Sequence, residues 1–292
     1  MRDKTRRSLF KASRYAKKGL KAVGLGSILP LREWHQRFKE SIKADHTFID
    51  GFEMYLDKKD SLDLSVDESY DIFDREILKQ MVHPGDHVID LGANIGFYTL
   101  TLARLVGPQG KVYAFEPSPD NFSLLCRNVE VNGFHNVTLV RKAVSSQTGK
   151  AQLFLCESNA GDHRIFGKGG DRQAVEIETV ALDDFFGSSR EAPHLIKMDI
   201  QGAEGMALEG MQGLLSRATR LSILMEFWPQ GLARCGADPG QLLASLQSLG
   251  FQLKVLDHRR ASVDPIPDLD AFLALPRFAE GKHSNLLCVK NQ

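Results

Sequence analysis

The chain is poor in cysteine, has no excess of charge of either sign and lacks a long apolar run. Its four cysteines (Cys126, Cys156, Cys235, Cys288) lie far apart, with no C-x-x-C pair and no histidine at zinc-finger spacing. That argues against a disulfide framework and a structural zinc module, and the expectation is reduced, buried thiols in a cytoplasmic protein. Lys+Arg and Asp+Glu both number 37 in 292 residues, so bulk charge names no partner. The mildly apolar stretch Gly19–Leu31 carries Lys21 and falls short of the ~20 apolar residues a bilayer span requires. It follows a basic segment, but no small-residue cleavage site comes after it, so a secretory signal is not expected. No internal repeat or low-complexity tract is present.

What is there is ordinary globular composition, 42% hydrophobic and 25% charged, enough for one sizeable core. Charge is uneven along it: residues 1–43 hold thirteen Lys/Arg against Asp3, Glu33 and Glu40. The domain reading is therefore a basic helical extension over 1–45 and a globular domain over 46–292. Within the extension, Ser8–Val23 places Leu9, Tyr15, Ala16, Leu20 and Val23 on one helical face. The first reading is a solvated helix packed on the body or on a second subunit of a homo-oligomer. The second is a peripheral membrane contact through residues 1–23, attracted to anionic lipid. Nucleic acid is not an expected partner, because the basic residues come without aromatic platforms or a reading motif.

Residues 46–70 read as a hairpin and Asp71–Met81 as a helix closed by His83-Pro84-Gly85-Asp86. Strands then alternate with helices. Strands are expected at His87–Leu91, Lys111–Phe115, Val137–Val144, Leu195–Ile200, Leu221–Phe227, Gln252–Leu256 and Leu286–Lys290. Helices are expected at Phe97–Val106, Pro119–Asn132, Ala203–Leu215 and Pro239–Leu249, with a hairpin-like interval between Val144 and Leu195. Nearly continuous apolar strands such as Val88-Ile-Asp-Leu91 must be covered on both faces. That implies an α/β fold, a doubly wound, mostly parallel seven-stranded sheet. The last two strands have only the Pro-rich stretch Asp257–Ser284 between them and no helix, which predicts an antiparallel strand inserted in the sheet.

In such a sheet ligands bind at the carboxyl ends of strands, beside the switch in strand order. The first strand ends Val88-Ile-Asp-Leu-Gly-Ala-Asn-Ile-Gly-Phe97. Gly92 and Gly96 permit a tight turn and close backbone approach, and Asn94 tolerates unusual backbone angles. A dinucleotide site would show G-x-G-x-x-G, cradling pyrophosphate at the helix start. Here the loop reads G-x-N-x-G behind Asp90, which suits a cationic ligand. S-adenosylmethionine, with an ammonium, a sulfonium and no phosphate, fits. Glu116 ends the next strand, 24 residues after Gly92 (116−92), close to the ~20 expected for a carboxylate that accepts from both ribose hydroxyls.

The run Asp90-Leu-Gly-Ala-Asn-Ile-Gly96, then Phe115-Glu-Pro117, Leu182-Asp-Asp184, Ile196-Lys-Met-Asp-Ile-Gln-Gly-Ala-Glu204 and Glu226 resembles the FkbM family of methyltransferases over roughly residues 50–290. The resemblance implies a class I methyltransferase fold and O-methylation of a sugar, glycan or natural-product hydroxyl with S-adenosylmethionine. The family's fourth-strand motif commonly reads Asp-x-Glu-Gly-x-Glu; Gln201 stands here for its first Glu, while Asp199 and Glu204 are kept. The expected cofactor set is Asp90, Gly92, Ala93, Asn94, Gly96, Phe97, Glu116, Pro117, Ser118, Ala143 and Asp199.

Transfer to a hydroxyl benefits from alignment and from a base. Candidates for that chemistry are Asp199, Glu204, Glu226 and the loop residue His163. Each carboxylate also has a structural alternative, as a helix cap, a charge at a helix start or the partner of a buried arginine. Asn159, His163, Arg164, Trp228 and Asn285 are the expected acceptor contacts, with Arg164 and Lys168 able to attract an anionic acceptor. No tight His/Asp/Glu cluster calls for a metal, and none is expected. Methylation of protein or nucleic acid, or a non-catalytic scaffold that binds S-adenosylmethionine, are the alternatives. Against nucleic acid, no Asn/Asp-Pro-Pro-Tyr/Phe element, which would hold an extruded base, follows Asp199.

Overall fold

A computed structural model describes residues 3–22, 29–67, 70–156, 159–165, 172–187 and 192–290. The chain opens with helices α1 (Asp3–Ala22) and α2 (Leu29–Ile42) and the hairpin β1 (His46–Ile49) and β2 (Phe52–Tyr55). Then come α3 (Ile72–Met81), β3 (His87–Leu91), α4 (Phe97–Val106), β4 (Lys111–Phe115), α5 (Pro119–Val131) and β5 (Val137–Val140). A small excursion follows, β6 (Ala143–Val144), β7 (Gly149–Phe154) and β8 (Ala174–Val180), leading to α6 (Leu182–Phe186) and β9 (Leu195–Met198). After these lie α7 (Glu204–Glu209), α8 (Gln212–Arg217), β10 (Leu221–Phe227), α9 (Pro229–Arg234), α10 (Pro239–Ser248) and β11 (Gln252–Asp257). The chain ends with β12 (Ser262–Pro265), α11 (Leu269–Leu273), α12 (Pro276–Ala279) and β13 (Ser284–Lys290).

Among the described residues the main sheet has eight strands, ordered β12-β11-β13-β10-β9-β3-β4-β5. Strands β5, β4, β3, β9 and β10 run parallel, and β13 is antiparallel to both neighbours. The inserted antiparallel strand expected from the sequence is therefore β13. Strand count is corrected from seven to eight, because β12 forms within the Pro-rich stretch and pairs with β11. That stretch also holds α11 and α12, whose Phe272 and Phe278 are buried beside Phe227.

Alternation of side chains explains the apolar strands. Ile89, Leu91, Ile196, Met198, Ile223 and Met225 join the core formed with α7, α8 and α10. Val88, Val112, Ala114, Leu195 and Leu224 join the opposite core, formed with α3, α4 and α5. Each of the Val, Leu, Ile and Met side chains among them, fully buried, contributes roughly 1.5–3 kcal/mol.

Two expected elements break. Val137–Val144 splits at exposed Arg141, so that β6 leaves the main sheet and pairs with β8. The helix expected over Ala203–Leu215 divides at Gly210, where a side chain would put its Cβ 2.0 Å from the Ser145 carbonyl oxygen. Asp183 starts the second piece: its Oδ2 accepts from the Gly213 N–H and its Oδ1 from the Leu214 N–H, both at 2.7 Å. The Leu182-Asp-Asp184 motif is thus a helix cap supplied from a distant segment. Asp183→Ala is expected to cost about 1–2 kcal/mol of stability in urea unfolding; an unchanged midpoint would refute the cap.

The basic head is docked. Phe10 is buried against Phe38, Ile42 and Val66. Asp3 accepts from the Phe48 N–H at 3.0 Å, and Arg7 donates to the Phe48 carbonyl and to Thr47. The expected apolar face is corrected: Leu9 and Tyr15 are exposed, because the buried stripe runs through Arg6, Phe10 and Ser13. The Leu20 side chain and Val23 lie outside the described residues. No described helix is long and apolar enough to cross a membrane. The hairpin is tied to α5 by asparagines that take up its edge: Asn128 donates to the Tyr55 carbonyl and accepts from its N–H, and Asn132 does the same for Glu53.

Candidate functional site

Strand order reverses between β3 and β9, and a cavity of about 500 Å³ opens there at the carboxyl ends of β3, β4, β9 and β10. Its first half is built on the glycine loop. Gly92 has φ +77°, and a Cβ on it would lie 2.0 Å from the Asp199 carbonyl oxygen. The N–H groups of Gly92 and Ala93 both donate to the Phe115 carbonyl, and Asn94 takes φ +51°. Glu116 locks this loop to the next: its Oε2 accepts from the Asn94 N–H at 2.8 Å and its Oε1 from the Ser118 N–H at 2.9 Å. Burial pushes the Glu116 carboxyl up to about 7, against the lowering effect of those two bonds. The buried Asn94 Oδ1 has no hydrogen-bond partner and belongs to a residue lining the cavity. An orphaned acceptor beside a ribose-type carboxylate, with Phe115, Pro117, Ala143, Val144 and Leu153 supplying apolar wall, fits an adenosine ligand.

The second half is polar. Asp199 follows β9, and its side chain is 39% exposed. Lys197, buried in β9, places Nζ 3.8 Å from Asp199 Oδ2, 4.0 Å from Asp90 Oδ1 and 4.6 Å from the Tyr98 ring centroid. Burial works to lower the Lys197 pKa, but Asp199 and Asp90 outweigh it and the net shift is upward, so the ammonium is retained. Gln201, at φ +56°, donates its amide to Asp199 Oδ1 at 2.8 Å and to Glu226 Oε2 at 3.2 Å. Glu226 is raised to about 9, by burial first and then by Asp199 and Glu204. His283 Nδ1 lies 3.3 Å from its Oε1. The opposite wall carries Tyr70, Asp71 and Tyr98, the last donating to Asp71 Oδ2 at 3.0 Å.

The methyltransferase FkbM domain profile matches residues 90–253 of this chain. The chain belongs to the FkbM methyltransferase family. It is similar to hexuronic acid methyltransferase AglP of Haloferax volcanii, 29% identical over 48% of this chain and 55% of that one. It is also similar to methyltransferase 1 of Beauveria bassiana, 26% identical over 42% of this chain and 57% of that one. The chain thus spans little more than half the length of these two relatives. A solved FkbM methyltransferase from Methylobacillus flagellatus matches 73% of this chain and 50% of its own at 18% identity, with a TM-score of 0.42. The fold of this FkbM protein is the Rossmann-like class I methyltransferase fold, and its cofactor is S-adenosylmethionine.

Of the cofactor residues expected from sequence, Gly92, Ala93, Asn94, Phe97, Glu116, Pro117, Ala143 and Asp199 line the cavity of this FkbM protein. Asp90, Gly96 and Ser118 lie behind that lining. Asp90 is fully buried, accepts from Thr99 Oγ1 at 2.7 Å and faces Lys197, so its charge is met by protein and not by the cavity. Gly96 precedes α4 at φ +99°, and Ser118 is buried before α5.

Glu204 is also corrected. It is fully buried outside the lining, and Oε1 accepts from the Ile200 and Gly202 N–H groups at 3.2 and 3.3 Å. It braces the Asp199–Gly202 turn and does not face an acceptor. The expected acceptor residues Asn159, His163, Arg164, Trp228 and Asn285 all line the cavity, several with altered roles. Arg164 donates to Asp162 and lies over the Trp228 ring, so its charge is matched within the protein. Trp228 packs on Gly231 and donates to the Gly281 carbonyl. Asn285 donates to buried Asp74. Lys168 lies outside the described residues.

Sequence reasoning missed Lys197, Asp71, Asp162 and His283. Two of these had a signal: a cation inside the apolar run Leu195–Met198 must find a carboxylate when both faces of its strand are covered, and His283 shares with Asn285 the polar turn before the last strand.

Proposed function

We propose that this FkbM protein transfers the methyl group of S-adenosylmethionine to a hydroxyl of a sugar or sugar-like acceptor. The observation that carries the reading is the second half of the cavity, where Asp71, Asn159, Asp199, Gln201, His283 and Asn285 surround the space with hydrogen-bonding groups. Such a wall suits a polyhydroxylated molecule better than an apolar one. A relative bearing the name hexuronic acid methyltransferase supports a sugar acceptor.

Bound in the first half, S-adenosylmethionine supplies an electrophilic methyl carbon. Glu116 and Asn94 hold the adenosine end. Asp199, tethered by Gln201 and neutralised by Lys197, presents a carboxylate that fixes the direction of an acceptor hydroxyl, the alignment on which in-line displacement depends.

Calorimetry with S-adenosylmethionine, then mass spectrometry of hexuronic acids and neutral hexoses incubated with protein and cofactor, tests the reading. Gain of one methyl on a sugar supports it; tight cofactor binding without transfer to any sugar in the panel sinks it. Glu116→Ala should weaken cofactor binding by about 10- to 100-fold, the value of hydrogen bonds to a charged, buried group. Unchanged affinity would remove Glu116 from the cofactor site.

A further inference from the structure

Among the described residues, His163 and His283 line the cavity, and the chain presents them in opposite ways. His163 Nδ1 accepts the Cys156 N–H at 3.0 Å. A neutral imidazole that accepts at Nδ1 carries its proton on Nε2, so the ring nitrogen left to the cavity is a donor. Burial lowers the His163 pKa, which keeps the ring neutral. His283 faces a carboxylate instead, with Nδ1 3.3 Å from Glu226 Oε1. A carboxylate beside Nδ1 draws the proton to that nitrogen and leaves the Nε2 lone pair free. Among the described residues no hydrogen bond reaches His283 Nε2, and the residue is exposed at the mouth of the cavity beside Asn285.

We propose that His283, oriented by Glu226, is the proton acceptor for the acceptor hydroxyl, and that His163 is a hydrogen-bond donor in the same cavity. The proposal rests on the hydroxyl-methylation reading above. As the acceptor oxygen bonds to the methyl carbon, the carbon–sulfur bond breaks with its electron pair passing to sulfur. The hydroxyl proton moves to His283 Nε2, and the resulting imidazolium is balanced by Glu226. Gln201 is a positioning residue: its amide N–H on Glu226 Oε2 leaves Oε1 for His283.

Glu226 must be ionised for this role. The groups that act on it are Lys197 and Asp199 at the end of β9, Glu204 on α7, Asp162 of the 159–165 segment and His283 itself. Burial and the three acids hold its proton on to about 9, against Lys197, so the competent form grows as pH rises through that range.

The test is a two-bond ¹H–¹⁵N correlation spectrum of the full chain labelled at histidine, across an alkaline pH series, assigned with His283→Asn and His163→Asn. The expected result is an Nε2–H tautomer for His163 throughout, and for His283 a shift to the Nδ1–H tautomer as pH rises through about 9 and Glu226 ionises. Glu226→Gln is a sharper second variant. The Gln201 N–H keeps the new amide oxygen on its own side, so the amide NH₂ faces His283 Nδ1 and flips that ring to Nε2–H. An Nε2–H tautomer for His283 in the wild-type chain above pH 9, where Glu226 is ionised, or no change in that tautomer with Glu226→Gln at the same pH, overturns the proposal.

With any sugar that is methylated, His283→Asn should lower kcat by roughly 10²- to 10⁴-fold at unchanged affinity for S-adenosylmethionine. Retained kcat also overturns it. If no sugar is methylated, the sugar reading falls by itself, and the tautomers decide this proposal.

Discussion

Gly92→Ala should abolish measurable binding of S-adenosylmethionine while leaving the chain folded. Gly92 holds φ +77°, and an added Cβ would stand 2.0 Å from the Asp199 carbonyl oxygen, 3.0 Å from its carbon and 3.2 Å from Ile200 Cγ2. No side-chain rotation relieves a clash with backbone, so either the glycine loop or the end of β9 must move. The first carries Ala93 and Asn94 and the second carries Asp199, which means that both halves of the cavity lose register. Gly133→Ala is the control: φ there is +68° with nothing within 4 Å of the added Cβ, so only the backbone penalty of about 1 kcal/mol remains. Calorimetry and urea unfolding of both variants separate the effects. Binding by Gly92→Ala within a few-fold of wild type would show that the loop and β9 do not need this close approach.

Stability of the unliganded chain should fall as pH rises from about 5 to 9. Burial is the largest cause in each of three carboxyls, raising Glu116 and Glu204 from 4.5 to about 7 and Glu226 to about 9. A carboxyl with a folded pKa above its unfolded one binds more protons in the folded state between the two values. Stability that is fully present below the unfolded pKa is therefore lost as pH rises to the folded one. For Glu116 and Glu204 that window runs from 4.5 to about 7, and for Glu226 it extends to about 9. A shift of this size corresponds to on the order of 3 kcal/mol for each of the first two groups. Glu204→Gln should flatten its share of the slope, because a neutral amide has no charge to bury. Urea midpoints measured across this range check the prediction; a stability that rises with pH would mean these carboxylates are ionised at little cost. S-adenosylmethionine should reduce the loss, since its ammonium and sulfonium favour ionised acids nearby.

The parallel strands, the inserted antiparallel β13, the glycine loop and Glu116 were legible in the residues because each depends on local chemistry. Apolar runs such as Val88–Leu91 need cover on both faces, Gly92 answers a turn, and Glu116 ends its strand at a set distance from that turn. The break at Gly210 was not legible. It follows from the nearness of Ser145 and from the Asp183 cap, which come from segments more than twenty residues away. The eighth strand was hidden because β12 is half-exposed and stabilised by pairing with β11.

The sequence by itself determined the family, the α/β architecture and the glycine-loop half of the cavity, since those rest on motifs whose spacing along one strand–loop–helix unit is the geometry. Only the tertiary structure decided which acidic residues face the cavity and which serve the protein. Asp90 and Glu204 look the same as Asp199 and Glu226 in the sequence, each at the border of a strand or helix. Packing turns the first two inward, to Thr99, Lys197 and the Asp199–Gly202 turn, and leaves the second two on the rim. It also brings His283 to Glu226, from beyond four helices and two strands in the chain, because β13 inserts beside β10.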